Sequence, residues 1–172
     1  MKSEAEESKT FLDITVWQVV RGDIDAIVAL YSQADELHFQ ALPFIFHPPA
    51  DPQQNHRYIE NLLNEQDAGL FVAELAGKIV GALHVELHNS PQISIFLPRR
   101  FAVVANLVVE KDLHRSGIGL ALMEYTHDWA IKKGVSEVEL NVWEFNQGAI
   151  AFYEKLGYTT ASRRMWKKLR QE

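Results

Sequence analysis

The sequence predicts an α/β domain of the mixed α+β kind, a sheet accompanied by about four helices. Three observations carry this. In the second half, strand-like and helix-like stretches alternate, as "FAVVANLVV", "IGLALMEYTHDWAIKK", "VSEVELNVWEF" and "NQGAIAFYEKLGY". Alternation of that kind calls for at least one right-handed crossover. In the first half, "GLFVAELAGKIVGALHVEL" is two strands joined by a tight turn at Ala76-Gly77-Lys78, which adds antiparallel pairing. The composition of the 172 residues, 47% hydrophobic and 23% charged, suits a soluble globular domain. A chain of this length buries about two thirds of its unfolded surface.

Residues 1–10, "MKSEAEESKT", are acidic and hold no apolar stretch, so they are expected as a frayed tail and not as a secretory leader. The domain is then expected over residues 11–172. "FLDITVWQVV" reads as a strand, and a helix from near Asp23 carries Ile24, Ile27, Leu30 and Tyr31 at helical spacing. "QALPFIFHPPADPQ" is broken by Pro43, Pro48, Pro49 and Pro52 and is expected as a loop too apolar for a linker. A short helix follows around "QNHRYIENLLNEQ", and then the hairpin. "RRFAVVANLVVEK" is almost continuously apolar at its centre, which suits a central strand covered on both faces. From about Gly117 to Lys133, Ile118, Leu122, Tyr125 and Trp129 form one apolar helical stripe, ended by Gly134. A strand, a short helix closed by Gly157 and a last strand "TTASRRMWKKL" complete the chain.

The formal charge of −6 disfavours nucleic acid as a partner, because neutralising phosphates needs a basic face. No apolar run approaches the roughly 20 residues of a membrane span. The chain has no cysteine, so it holds no disulfide, thiolate metal site or cysteine nucleophile, which fits a cytoplasmic protein.

One turn asks for an explanation. "LHRSGIGLALMEYTHDWA" sets two glycines at a helix start, where each gives up roughly 1 kcal/mol of helix propensity relative to alanine. Bare backbone at a helix start exposes N–H groups to an anion, and the helix dipole adds positive potential. The same glycines would equally serve a tight strand-to-helix turn. Two phosphate motifs fail here: Gly119 is followed by Leu120 and Ala121, not by the Lys-Ser/Thr of a P-loop, and Leu122 replaces the third glycine of a dinucleotide fingerprint. On the "NQGAIAFYEKLGY" helix, Asn146 and Tyr153 share one face about 10 Å apart. By itself Asn146 reads as an N-cap and Tyr153 as a packing residue.

In order, the strand "ANLVVEKDLH", the turn "HRSGIG" and the downstream "NQGAIAFYEKLGY" resemble the GNAT superfamily of acetyl-CoA-dependent N-acetyltransferases, from about Leu70 to Lys168. The resemblance implies a central, mostly antiparallel mixed sheet with a V-shaped splay, flanked by about four helices, and direct transfer of an acetyl group from acetyl-CoA to a primary amine in a ternary complex. It implies that His114, Arg115, Ser116, Gly117, Ile118 and Gly119 form the turn that holds the CoA pyrophosphate. His114 stands where the family pattern has Gln or Arg, and Arg115 offers a cation next door. By the same resemblance, Leu107, Val108 and Val109 pair with the pantetheine amides, and the Val109 amide is a candidate oxyanion donor. Asn146 hydrogen-bonds the pantetheine region, and Tyr153 lies close to the thioester sulfur. A thiol has a pKa of about 8.5, so the departing sulfur profits from a nearby O–H donor.

The family's strand glutamate has no counterpart in the apolar "FAVVA", which leaves Glu86, Glu110 or a water chain to deprotonate the amine, with Glu86 favoured. Asp35, His38 and Phe46, with Phe44, lie where the family builds one wall of its acceptor site, and His84 is a further acceptor-lining candidate. His84, Glu86 and His88 project from one strand face, but the two histidines stand about 13 Å apart and cannot share an ion, so no metal site is expected. "SRRMWKKLRQ" is expected as an edge strand kept soluble by its charges. The expected partner is a small-molecule or peptide amine, and the exposed-looking aromatics permit a homodimer. The competing expectation is a catalytically silent acyl-CoA-binding or sensing domain.

Overall fold

Antiparallel pairing begins at the hairpin, where Ala76 (φ 51°) and Gly77 (φ 79°) both take the left-handed conformation that a two-residue turn needs to match strand twist. The computed structural model describes residues 9–11, 13–49 and 51–169, and the chain forms two compact units whose boundary falls between Asn141 and Val142. In the first unit, β1 (Lys9–Phe11), β2 (Ile14–Gln18), β3 (Ala68–Leu75), β4 (Lys78–Asn89), β5 (Arg100–Val109) and β6 (Val138–Leu140) make a six-stranded sheet in sequence order. Every neighbouring pair is antiparallel except β5–β6, which is parallel and joined through a helix. Three helices accompany the sheet: α1 (Ile24–Ala41), α2 (Pro52–Leu62) and α3 (Ile118–Lys132). The second unit contains α4 (Gln147–Lys155). This is the expected mixed α/β class.

Strand alternation sorts side chains onto two faces. On one, Ile24, Ile27, Val28, Leu30 and Tyr31 of α1 and Ile59 of α2 pack with Leu70, Val72, Ala82 and Val108 of the sheet. On the other, Phe71 meets the rings of Tyr125 and Trp129 at 4.9 and 5.8 Å, so the predicted stripe of α3 is its sheet-facing side. Burying each large apolar side chain contributes about 1.5–3 kcal/mol. Helix α3 approaches β4 closely because position 81 is glycine: a Cβ there would lie 2.8 Å from Ile118 Cγ2 and 3.0 Å from Leu122 Cδ1. The start of α3 is thereby pinned against the sheet.

Several expectations are refined. Of the expected tail, residues 1–8 lie outside the described residues, while Lys9 and Thr10 pair with Val16 and Thr15. The first expected strand is split into β1 and β2, and one 3-10 turn (Arg21–Asp23) precedes α1. β5 is next to the sheet edge instead of central, since β6 alone lies beyond it. β6 is three residues long, because its ladder with β5 stops at Leu140. The last expected strand is absent: residues 159–169 are exposed throughout and form no ladder. Threonine and aromatic residues favour a strand only where a partner strand and a packed face receive them. The edge strand expected of "SRRMWKKLRQ" therefore does not form among the described residues. No described helix is long and apolar enough to cross a membrane.

Candidate active site

β5 carries an irregularity near its middle. His84 pairs with Asn106 but its neighbour Val85 pairs with Val104, so Ala105 is an extra residue, a β-bulge. On the far side of β5, β6 pairs only with Ala102–Val104. Beyond the bulge, β5 continues to Val109 with no strand on that side among the described residues. The Glu110 N–H reaches Val80 O on β4 at 2.8 Å, so by strand alternation Val109 and Leu107 aim their own N–H and C=O at the open side. Leu107, Val108 and Val109 thus keep one edge paired with β4, and two of the three have backbone groups facing away from it.

From the end of β5 the chain passes through a 3-10 turn (Lys111–Leu113) to the glycine turn. Arg115 (φ 67°) and Gly117 (φ 89°) are both left-handed, and Gly117 is the N-cap of α3 with no side chain capping the helix. The first turn of α3, including Ile118 and Gly119, carries N–H donors that the helix itself does not satisfy. His114 is exposed, its Nε2–H donating to Val109 O at 3.0 Å, and the Ser116 hydroxyl donates to Leu113 O. His114 therefore ties the turn to the end of β5. Arg115 is exposed beside it.

On the α1/α2 face, four polar side chains form a row. Tyr58 of α2 brings its hydroxyl to 3.5 Å from His84 Nδ1. His84 is fully buried; its Nε2 lies 3.5 Å from Glu86 Oε1 and has no hydrogen-bond partner. Glu86 Oε2 in turn accepts from His88 Nε2 at 2.9 Å, so one carboxylate stands between two imidazoles. Glu110, the other carboxylate considered as base, is paired with Lys78. Burial raises the Tyr58 phenol, with Glu86 and Glu65 adding to the effect. Burial likewise pushes the Tyr31 phenol upward, helped by Tyr58 and Asp35, and its hydroxyl also lacks a partner. His38 donates from Nδ1 to Ala34 O and packs its ring 5.0 Å from that of Phe46, which joins two predicted acceptor residues to each other. Among the described residues no group of three His, Asp or Glu is arranged to hold a metal.

Tyr58 was not legible as a site residue. The single signal was an aromatic outside the buried side of α2, which is carried by Ile59 and Leu62.

In the second unit, Asn146 caps α4, its Oδ1 accepting from the Ala149 N–H at 3.1 Å. Tyr153 packs 5.2 Å from Phe152 and 5.8 Å from Tyr158, ring to ring, and burial pushes its phenol up to about 12. It is a neutral O–H donor at any ordinary pH.

His84 makes stability depend on pH. Burial holds its imidazole below the ordinary value, against the raising pull of Glu86 and Glu65. The unfolded chain then binds the proton more readily than the native one. The native advantage is present above about pH 6.5 and declines as pH falls below it, by up to about 1.4 kcal/mol per unit. His127 adds the same sign, lowered by burial against Asp128 and Glu124. The thermal midpoint is expected to drop between about pH 7.5 and about pH 5.5, and to drop less in His84→Gln; equal drops would remove His84 as a contributor.

The model of the acetyltransferase (GNAT) family matches residues 31–158. An uncharacterized N-acetyltransferase of Methanocaldococcus jannaschii is 30% identical over 148 residues, covering 84% of this chain and 60% of that protein. The ribosomal protein bS18-alanine N-acetyltransferase of Escherichia coli is 41% identical over 61 residues, 36% of this chain and 41% of that one. The chain thus spans less than two thirds of either relative. Among solved structures, an aminoglycoside acetyltransferase from an uncultured soil metagenomic sample superposes with a TM-score of 0.66 at 22% identity, covering 93% of this chain and 97% of that one, a likeness of fold.

Proposed function

This chain belongs to the acetyltransferase (GNAT) family, and we propose that it moves an acetyl group from acetyl-CoA to a primary amine by direct attack. The observation that carries this is the open edge of β5 followed, after one 3-10 turn, by an uncapped helix start: a strip of backbone donors and acceptors and, beyond it, a set of free N–H groups. A linear amide chain ending in a diphosphate has the complementary groups. The family model supports the same donor, and the named relatives support an amine as acceptor, one acting on an alanine of a ribosomal protein and another on aminoglycosides.

Acetyl-CoA would supply an activated acyl group whose C–S bond breaks as the C–N bond to the amine forms. The chain's own residues then have four tasks. The turn His114 to Gly119 grips the pyrophosphate through main-chain N–H groups, with Arg115 as the neighbouring cation and Ser116 bracing the turn. Leu107, Val108 and Val109 align the pantetheine, joined there by Asn146, and the Val109 N–H faces the developing negative charge. Tyr153 gives its proton to the departing sulfur. Glu86, with His84 beside it, receives the proton of the amine, and Asp35, His38 and Phe46 line the acceptor's approach.

The test is a thermal melt with acetyl-CoA, CoA, ATP and NAD, followed by an amine screen that reads CoA release with a thiol reagent. A cysteine-free chain gives that reagent no background. Stabilisation by acetyl-CoA with amine-dependent thiol release is expected. Stabilisation without release from any amine would mark a silent binding domain, and stabilisation by ATP instead of CoA would overturn the assignment.

A further inference from the structure

We infer that Tyr31 and Asp35 of α1 hold a second ammonium group of the acceptor, so that the amine this chain acetylates is a diamine or polyamine. The inference rests on the acetyl-transfer function proposed above and deepens it by naming the acceptor class. Among the described residues three buried side-chain polar atoms have no hydrogen-bond partner: Tyr31 Oη, Asn55 Nδ2 and His84 Nε2. They come one each from α1, α2 and β4. Neighbouring contacts bring them to one wall. Tyr31 packs in a single core with Ile59 and Leu70; Ile59 follows Tyr58 in α2, and Leu70 is the cross-strand partner of His84. Asn55 lies three residues before Tyr58 and shares its side of α2, and Tyr58 Oη reaches His84 Nδ1 at 3.5 Å.

Tyr31 is 4% exposed and His84 is 0% exposed. An unpaired polar group at that depth costs stability, so a packed chain keeps one only where something else compensates. A polar ligand does so, and charge decides which kind. The charges acting on these rings are carboxylates: Asp35 on Tyr31, and Glu86 and Glu65 on Tyr58 and His84. Among the described residues none of the three is paired with a lysine or arginine. A carboxylate-bearing acceptor is repelled by such a wall, and a cation is drawn to it.

The atoms suit an ammonium group. Asp35 stands four residues after Tyr31, hence on the same side of α1. Its carboxylate and the lone pairs of the Tyr31 hydroxyl both accept from an –NH3+ group, and the Asn55 amide presents its oxygen to the same group after a half-turn. Glu86, with His84 beside it, stays with the amine that reacts. Two nitrogens of one acceptor are thus held at two points of the wall, one neutral for attack and one charged for binding.

The experiment uses the full chain and compares putrescine with butylamine, which has the same carbon chain and one amine fewer. Each is followed by thiol release with acetyl-CoA and by a thermal melt without it. kcat/KM is expected to be about tenfold higher for the diamine, the scale of one charge-assisted hydrogen bond. In Tyr31→Phe that preference is expected to shrink severalfold while the ligand-free melt holds or rises, because no bond within the fold is lost. A lower ligand-free melt would show the hydroxyl to be bonded inside the fold and overturn its part. Asp35→Asn is expected to shrink the preference about tenfold, and it decides the matter if Tyr31→Phe does not fold. Glu36→Gln removes the same charge from a side chain bonded to Gln40, and is expected to keep the preference. Equal kcat/KM for the two amines, a preference that survives Tyr31→Phe and Asp35→Asn, or a stronger preference for an alanyl peptide would overturn the inference. Spermidine and an aminoglycoside, run beside putrescine, tell a linear polyamine from an amino sugar as the source of the second ammonium. A wild type that acetylates no amine would sink the acetyl-transfer function alone if putrescine still raises the melt and Tyr31→Phe removes the rise; with no such rise the ammonium site falls too.

Discussion

Replacing Tyr153 by phenylalanine is expected to lower kcat at least about tenfold, about 1.4 kcal/mol at the transition state, with acetyl-CoA still bound. The reason lies in the leaving group. The sulfur departs as a thiolate, and with a thiol pKa of about 8.5 a proton delivered to it near neutral pH favours its departure. Burial keeps the Tyr153 phenol protonated by pushing it up to about 12. Phenylalanine keeps the ring that packs on Phe152 and Tyr158 and removes only the hydroxyl. The variant therefore separates chemistry from packing. Turnover is measured by thiol release and binding by the acetyl-CoA-dependent melt. Unchanged kcat would take Tyr153 out of the mechanism. Loss of acetyl-CoA binding with little change in kcat would make it a packing residue of α4.

Local chemistry is legible in the sequence wherever one residue's conformation decides the outcome. Ala76-Gly77 announces a hairpin because a two-residue turn needs positive φ at both positions, and both have it. Ile118, Leu122, Tyr125 and Trp129 announce the sheet-facing side of α3 through spacing alone, and Phe71 receives two of them. What stays hidden depends on register or on contacts distant in sequence. The bulge at Ala105 follows from how β5 slides along β4, and an apolar run reads the same with or without an extra residue. Tyr58 and His84 are 26 positions apart, and only the packing of α2 on the sheet joins them. The bond from His114 to Val109 is equally hidden, since in sequence His114 reads as a substitute for Gln or Arg, and in the fold it fastens the turn to the end of β5. Residues 159–169 show the opposite failure: strand-like chemistry with no ladder to join.

Gly117→Ala is expected to raise the KM for acetyl-CoA about tenfold or more and to lower stability by about 1–2 kcal/mol, the scale of placing a side chain in left-handed backbone. Space is not the obstacle. A Cβ at Gly117 would meet only Ile14 Cδ1, at an ordinary 3.8 Å. The obstacle is φ 89°, which an L side chain adopts only under strain, and the chain relieves that strain by rotating the peptide that opens α3. Rotation re-aims the very N–H groups proposed to hold the pyrophosphate, and a charge-assisted hydrogen bond contributes about 1.5–3 kcal/mol when correctly aimed. A control sits at the other end of the helix. Gly134 has φ 77°, and a Cβ at that position would have no atom within 4 Å, so Gly134→Ala is strained to a similar degree but lies after the last turn of α3. Both variants are expected to melt lower, and only Gly117→Ala to lose affinity for acetyl-CoA. If the two lose stability equally and bind acetyl-CoA equally, the left-handed glycine serves the turn alone, and the diphosphate is held elsewhere.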